Sequence, residues 1–466
     1  MTKTLFAPVV APEKLNAQYN MVRTDAAREP ARRMIDDVFS TFEDKDGNFV
    51  QQFQTDGFNS RFFELYLHAY FERSGYMRDE SFSAPDFIVS RNGVRVAVEA
   101  TTSNPSSSPN IAEHGREISE LSDVEVPDYV NNEIPIRLGS PLRSKLDKRY
   151  WEKSQCEGCP FVIAIQAFHD ENALVFSSAA LTRFLYGIEY APVWSDEGDV
   201  RVRVASVPEH VLGSKTLSPG LFRSDPAWRH VSAILFTNNG ALGKFSRMGY
   251  QTGLGCEGIK MQRFGWRYNA EPQAMDPSFF AYDMACPPFV ETWGEGLDVL
   301  HNPVAEIPLP PDFFVDATQV HERDGKIYSE GCSWKETISS KTVSAYFGDA
   351  LGHAREILAP FPFDIEVGAV SRAEFDEISG RQGSPLGIRE EGWFADKTRS
   401  FLGVLVPDLS DSTWGWVVLA RDSLGRFRCI KSGADLAERG IACEHVQQAI
   451  IGLLNQPQRI FPQDDC

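Results

Sequence analysis

Long hydrophobic runs are absent from this 466-residue chain. No stretch approaches 18 consecutive apolar residues, so a membrane-spanning helix is not expected. The opening MTKTLFAPVVAPEK is interrupted too early by proline and charge to read as a secretory signal. Cysteine is scarce, eight residues scattered along the chain. That spacing fits free thiols in a reducing cytoplasm rather than a disulfide framework. Positive charge is in deficit: 46 Lys and Arg face 65 Asp and Glu, for a net charge of −19. A protein that coats nucleic acid electrostatically is disfavoured, while one that grips it in a local groove is not. No internal repeat is visible. No G-x-S-x-G elbow occurs, which argues against an α/β-hydrolase.

Several short motifs lack the context that chemistry requires. Gly253-Leu-Gly255-Cys-Glu-Gly258 matches the dinucleotide spacing but has no apolar strand before it. Asn239-Gly240-Ala-Leu-Gly243-Lys244 lacks the gap and the Ser or Thr of a P-loop. Cys156-Glu-Gly-Cys159 has no second pair nearby to complete a zinc site. A Pro-Asp-Phe at 311–313 has no partner strand carrying a facing carboxylate.

What remains is a chain with 42% hydrophobic residues, enough to build real cores. Residues 1–28 read as an extended arm. A helix is expected over 29–42 and a largely buried one over 56–74, with Gly75 placed to end it. Residues 111–133 hold seven acids against one arginine, and 137–153 reverse the sign with six Lys and Arg against two acids. The second segment reads as a basic helix in which Lys145, Lys148, Arg149 and Glu152 share one face. Tyr150 and Trp151 within it suit either base stacking or core packing. Buried strands are expected at 160–168 and 231–237, and a helix at 177–186. A boundary is placed near 330. Beyond it the pattern suggests a helix at 341–358, strands at 364–370, 400–406 and 414–420, and a final helix at 442–454.

The clearest local signal is SAPDFIVSRNGVRVAVEATT. Two β-type runs, 86–91 and 94–100, flank Asn92-Gly93, the preferred pair for a type I′ hairpin turn. A two-residue turn pairs 91 with 94, and the register then runs back to Asp86 opposite Glu99. Phe87, Val89, Val94, Val96 and Val98 form a core face. The two carboxylates fall on the other face, which reads as the non-core side, with Cβ atoms about 4.5–5.5 Å apart. Like charges directly opposite are destabilising. A hard divalent cation with oxygen ligands would offset that cost.

Pro85-Asp86 followed by Val98-Glu99-Ala100-Thr101 resembles the PD-(D/E)XK signature of restriction-endonuclease-like nucleases. The preceding helix with Glu64 and the later strand at 160–168 are similar to that family's core order, over about residues 55–190. The resemblance implies an α/β fold, a mixed sheet flanked by helices, inside an elaborated domain spanning 29–330. A C-terminal α+β domain of unknown role, 331–466, would follow. It further implies phosphodiester hydrolysis, with Mg²⁺ or Mn²⁺ bound by Asp86, Glu99 and the Ala100 carbonyl, and with Glu64 as an added carboxylate. The implied partner is nucleic acid, DNA favoured over RNA. A protein partner of the C-terminal domain is left open. The family's lysine position falls on Thr101, which cannot carry a positive charge. Lys145 and Lys148 are the candidates to supply it. An alternative is a nuclease-fold protein without catalysis that serves as a binding module.

Overall fold

The computed structural model describes residues 4–105, 125–170, 173–194, 200–267, 278–285, 290–331, 337–348, 367–379, 392–396, 401–408, 413–421, 427–436 and 439–454. The loop read at 103–110 and the acidic stretch 111–133 fall largely outside these residues. The chain divides into two compact units, 1–357 and 358–466.

The first unit is organised by a mixed eight-stranded sheet. Its strands run in sequence across the sheet: β1 (Met77–Arg78), β2 (Phe87–Arg91), β3 (Val94–Ser103), β4 (Phe161–Ala167), β5 (Ala233–Thr237), β6 (Leu297–His301), β7 (Thr318–Arg323) and β8 (Lys326–Glu330). β3, β4 and β5 are parallel neighbours. Pairs β1–β2, β2–β3, β5–β6 and β7–β8 are antiparallel. Helices of this unit include α1 (Ala17–Thr24), α2 (Glu29–Ser40), α3 (Phe49–Gln54), α4 (Phe58–Arg73), α5 (Ile134–Asp147), α6 (Ala173–Tyr186) and α7 (Leu242–Gln251).

The hairpin forms in the expected register. Phe87 faces Val98, Val89 faces Val96 and Arg91 faces Val94. Asn92 and Gly93 both take positive φ, 51° and 78°, as a type I′ turn requires. α4 ends in a Schellman motif: the Tyr76 amide donates to the Phe71 carbonyl at 2.9 Å and the amide of Gly75, at φ 76°, donates to Glu72.

Both faces of the sheet are covered, which corrects the expectation of a non-core side. One core joins Phe62, Phe63, Tyr66 and Phe71 of α4 to Phe87, Val89, Val96 and Val98. The opposite core joins Ala97, Ile163 and Ile165 to α5 and α6. In α5, Ile134, Leu138, Leu142 and Leu146 recur every fourth residue and bury one stripe against the sheet. Covered parallel strands are what β-α-β crossovers produce.

Three further expectations change. Residues 4–28 are not an extended arm. Asn16 caps α1 by accepting from the amides of Gln18 and Tyr19, and Leu5, Tyr19 and Val22 are buried in the main core. Residues 341–346 are strand rather than helix; they belong to Thr337–Tyr346, which pairs with Ile259–Arg267 in a three-stranded antiparallel sheet. Residues 349–358 of that predicted helix lie outside the described residues. This pairing holds the segment in the first unit, so the division falls at 357/358 instead of near 330. The basic helix stops at Asp147, and Arg149 turns into the left-handed region at φ 51°. Lys145, Lys148, Arg149 and Glu152 therefore share no helical face.

The second unit is α+β. Five antiparallel strands run in order, Val367–Val370, Gly392–Asp396, Phe401–Asp408, Thr413–Arg421 and Phe427–Leu436. Ala442, Val446 and Ile450 of helix Arg439–Leu454 pack on one face, and Phe375 and Ile378 of helix Arg372–Ser379 on the other.

Candidate functional site

β2 begins at Phe87, opposite Val98, whereas β3 continues to Ser103. A notch is left along that edge of β3. Along β3 the Ala97 amide bonds toward β4, so the amide and carbonyl of Ala100, three residues on, point the other way, into the notch. The Ala100 amide donates to Asp86 Oδ2 at 2.8 Å, and the Asp86 amide donates to Glu99 Oε2 at 3.2 Å. The cis Ala84–Pro85 bond lies just before Asp86.

Groups from both sheet faces reach this notch. From α5, Lys145 lies beside the buried stripe, and its Nζ donates to Glu99 Oε1 at 2.5 Å. The Glu99 side chain is only 3% exposed and that of Lys145 18%. From α4, Glu64 sits close enough for its charge to act on Asp86 and to feel Lys145 and Glu99. Glu64 is bound by Arg61 at 2.6 Å, and Arg61 is steadied by Gln52 at 2.7 Å. Burial pushes the Glu64 carboxyl above its ordinary value, against the pull of Arg61.

Asp86 is exposed to a cleft but surrounded by protein on its other sides. Its carboxyl is pushed up to about 7, first by that enclosure and then by the charges of Glu99 and Glu64; Lys145 and the Ala100 amide act in the opposite sense.

Of the sequence-predicted residues, Glu64, Asp86, Glu99, Ala100 and Lys145 meet here. Lys148 does not. It is exposed, and its Nζ lies 5.8 Å from the Tyr150 ring centre. Thr101 is half-buried on the Glu99 side of the strand. Two further residues join the group. Tyr150 places its hydroxyl against Glu99; burial and that carboxylate hold the phenol well above its usual range. Its ring packs on Phe161, and Trp151 stacks on His230 at 4.9 Å, so both rings serve packing. Gln155 Nε2 donates to the Ala84 carbonyl at 2.5 Å and ties this segment to the Asp86 loop. Neither role has a sequence signal, because both depend on the left-handed turn at Arg149.

The donor set suits a hard cation. Two carboxylates and one backbone carbonyl are all oxygen, as Mg²⁺ prefers. Asp86 Oδ1 takes no hydrogen bond from the described residues, whereas both Glu99 oxygens are already engaged. Among the described residues no three His, Cys, Asp or Glu side chains form a group able to hold a metal. Any ion would therefore rest on two side chains, the Ala100 carbonyl and water. The adjoining cleft is lined by seven acids, among them Asp44, Asp79 and Glu80, against Lys45, Arg61 and Arg78. Compared with family models, with curated proteins and with solved structures, the chain matches none.

Proposed function

We propose that the chain is a metal-dependent phosphodiesterase of the PD-(D/E)XK type acting on nucleic acid, with DNA favoured over RNA. The observation that carries this reading is the convergence of Asp86, Glu99 and Lys145 at the notch beside β2, with Nζ 2.5 Å from the Glu99 carboxylate. Asp86, Glu99 and the Ala100 carbonyl would hold Mg²⁺ or Mn²⁺. Such an ion supplies a nucleophile from water at neutral pH and neutralises phosphate charge. Lys145 takes the place that Thr101 cannot fill. One of its protons engages Glu99, and the remaining two are free to meet developing phosphate charge. Glu64, neutralised in part by Arg61, orients water on the α4 side. Tyr150 holds Glu99 in place.

The test is incubation of the full chain with circular DNA, linear DNA and RNA, with Mg²⁺, Mn²⁺ or EDTA, alongside Asp86→Asn. Metal-dependent cleavage lost in the variant supports the reading; no cleavage of any substrate sinks it. The acidic lining of the cleft favours a second reading, a nuclease-fold protein that binds without cleaving. Retained metal-dependent stabilisation without cleavage would select it.

A further inference from the structure

The segment 137–153 carries six Lys and Arg, and ion pairs hold four of them. Arg137 is paired with Glu133 at 3.1 Å, Arg143 with Asp225 at 2.6 Å, Lys145 with Glu99 at 2.5 Å and Arg149 with Glu152. Lys148 and Lys153 are in no ion pair among the described residues. Both are exposed, and each holds its Nζ 5.8 Å from the centre of the Tyr150 ring. A ring face steadies an ammonium group without a carboxylate. Its charge is not cancelled, and its N–H donors stay free.

Tyr150 ties this pair to the notch. The turn that carries it starts at Arg149, where the left-handed φ of 51° ends the course of α5. The Tyr150 ring packs on Phe161 at the start of β4, and its hydroxyl lies against Glu99. The two lysines therefore form a basic lip beside the carboxylates. Their Nζ atoms lie no more than twice 5.8 Å apart. One nucleic-acid strand carries a phosphate about every 3.4 Å of helix axis, so phosphates of a single strand can meet both.

The α4 side of the notch has the opposite sign. The cleft beside Asp86 is lined by seven acids against three cations. Of those cations Arg61 is paired with Glu64 and Arg78 with Glu80, and Lys45 donates to the Phe82 carbonyl. A phosphate backbone is repelled from the cleft and drawn to the lip.

We propose that Lys148 and Lys153, held over Tyr150, grip the phosphate backbone beside the scissile bond, so that the nucleic-acid strand enters over the turn 148–153 and not through the acidic cleft. The class of ligand rests on the function proposed above. Both lysines are positioning residues, which hold the strand and leave the chemical step to the notch. Two unpaired cations at one place give a chain of net charge −19 a local grip without a basic surface.

The experiment measures binding of a short fluorescent DNA oligonucleotide to the full chain by anisotropy in EDTA, so that binding is read without metal-dependent cleavage. Lys148→Ala and Lys153→Ala should each weaken binding about five- to eightfold at about 0.1 M salt, and each should make the dependence on log salt shallower by about 0.7–0.9. Lys153→Arg should bind as the native chain does. Lys326→Ala removes the same charge from an exposed position on β8, at the far edge of the sheet, and should alter neither quantity. Each of these side chains is exposed, so Tm should stay at the native value in every variant. Where cleavage occurs, the alanine variants at 148 and 153 should raise KM more than they lower kcat. No binding by the native chain, native affinity in both of those variants, or equal weakening by Lys326→Ala overturns the lip even if cleavage is found. An acidic peptide that displaces the oligonucleotide at equal concentration of charge assigns the lip to a protein partner and overturns it as well. Lysine-dependent binding with no cleavage in Mg²⁺ leaves the lip standing and removes only the nuclease assignment.

Discussion

Asp86 without metal is a carboxyl whose pKa stands near 7 in the folded chain and near its ordinary value when unfolded. The folded state therefore binds the proton more tightly. Its contribution to stability is full below about pH 4 and is lost as pH rises through about 7. Urea unfolding in EDTA should show stability declining over that interval, with the component due to Asp86 absent in Asp86→Asn. A decline of equal size in the variant would refute this account. With Mg²⁺ the sign reverses, because only the ionised carboxylate binds metal. Metal should stabilise the native chain by about 1–3 kcal/mol at moderate excess, increasingly so above pH 7, and should not stabilise Asp86→Asn.

Lys145 is separable from the metal ligands. Lys145→Ala leaves a nearly buried Glu99 carboxylate without its cation, an uncompensated charge that costs about 3 kcal/mol. Two donors, the Asp86 amide and Tyr150, remain on that carboxylate. The variant should fold less stably, keep its metal response and lose about 10²–10³-fold in cleavage rate. Unchanged cleavage would remove Lys145 from the mechanism.

The hairpin depends on its turn. Gly93 stands at φ 78° with open space where a Cβ would project, so Gly93→Ala meets backbone strain and no clash. It should cost about 1–2 kcal/mol, read as a lower urea midpoint. The metal response should persist, because the pairing of Phe87 with Val98 is held by packing on α4. Loss of the metal response with retained folding would mean that the turn, not the packing, sets the register. α5 positions Lys145 by burying Leu142 and Leu146 on the sheet, and the same burial sets Tyr150 close to Glu99 three residues past the helix end.

The two compact units each hold a separate core. A chain truncated after residue 357 should keep metal stabilisation and any cleavage, since the notch draws all its residues from 52–155. Loss of both with retained circular dichroism would give the C-terminal unit a part in the site. The charge of the whole chain bears on binding as well. With −19 overall and few cations at the notch, nucleic-acid affinity should fall with log salt at a shallow slope, on the order of −2. A slope typical of six or more phosphate contacts would contradict a local grip.

The hairpin and its register from Phe87 opposite Val98 to the turn were legible in the sequence. They follow from a two-residue Asn-Gly turn and an alternation of period two, both local rules. The buried α4, the strands at 161–167 and 233–237 and the C-terminal strands were legible for the same reason: composition over a few residues determines them. Tertiary structure decided the rest. Whether the carboxylate side is open or covered depends on where α5 and α6 pack. That Lys145 and not Lys148 reaches Glu99 depends on where α5 ends and on one left-handed residue, Arg149. The strand at 337–346 took β form because a partner some 80 residues earlier offered an edge, and residues 4–28 folded because Leu5, Tyr19 and Val22 found a core to enter. Each of these is set by contacts between distant segments, whose energy exceeds the weak local preference of the residues that make them.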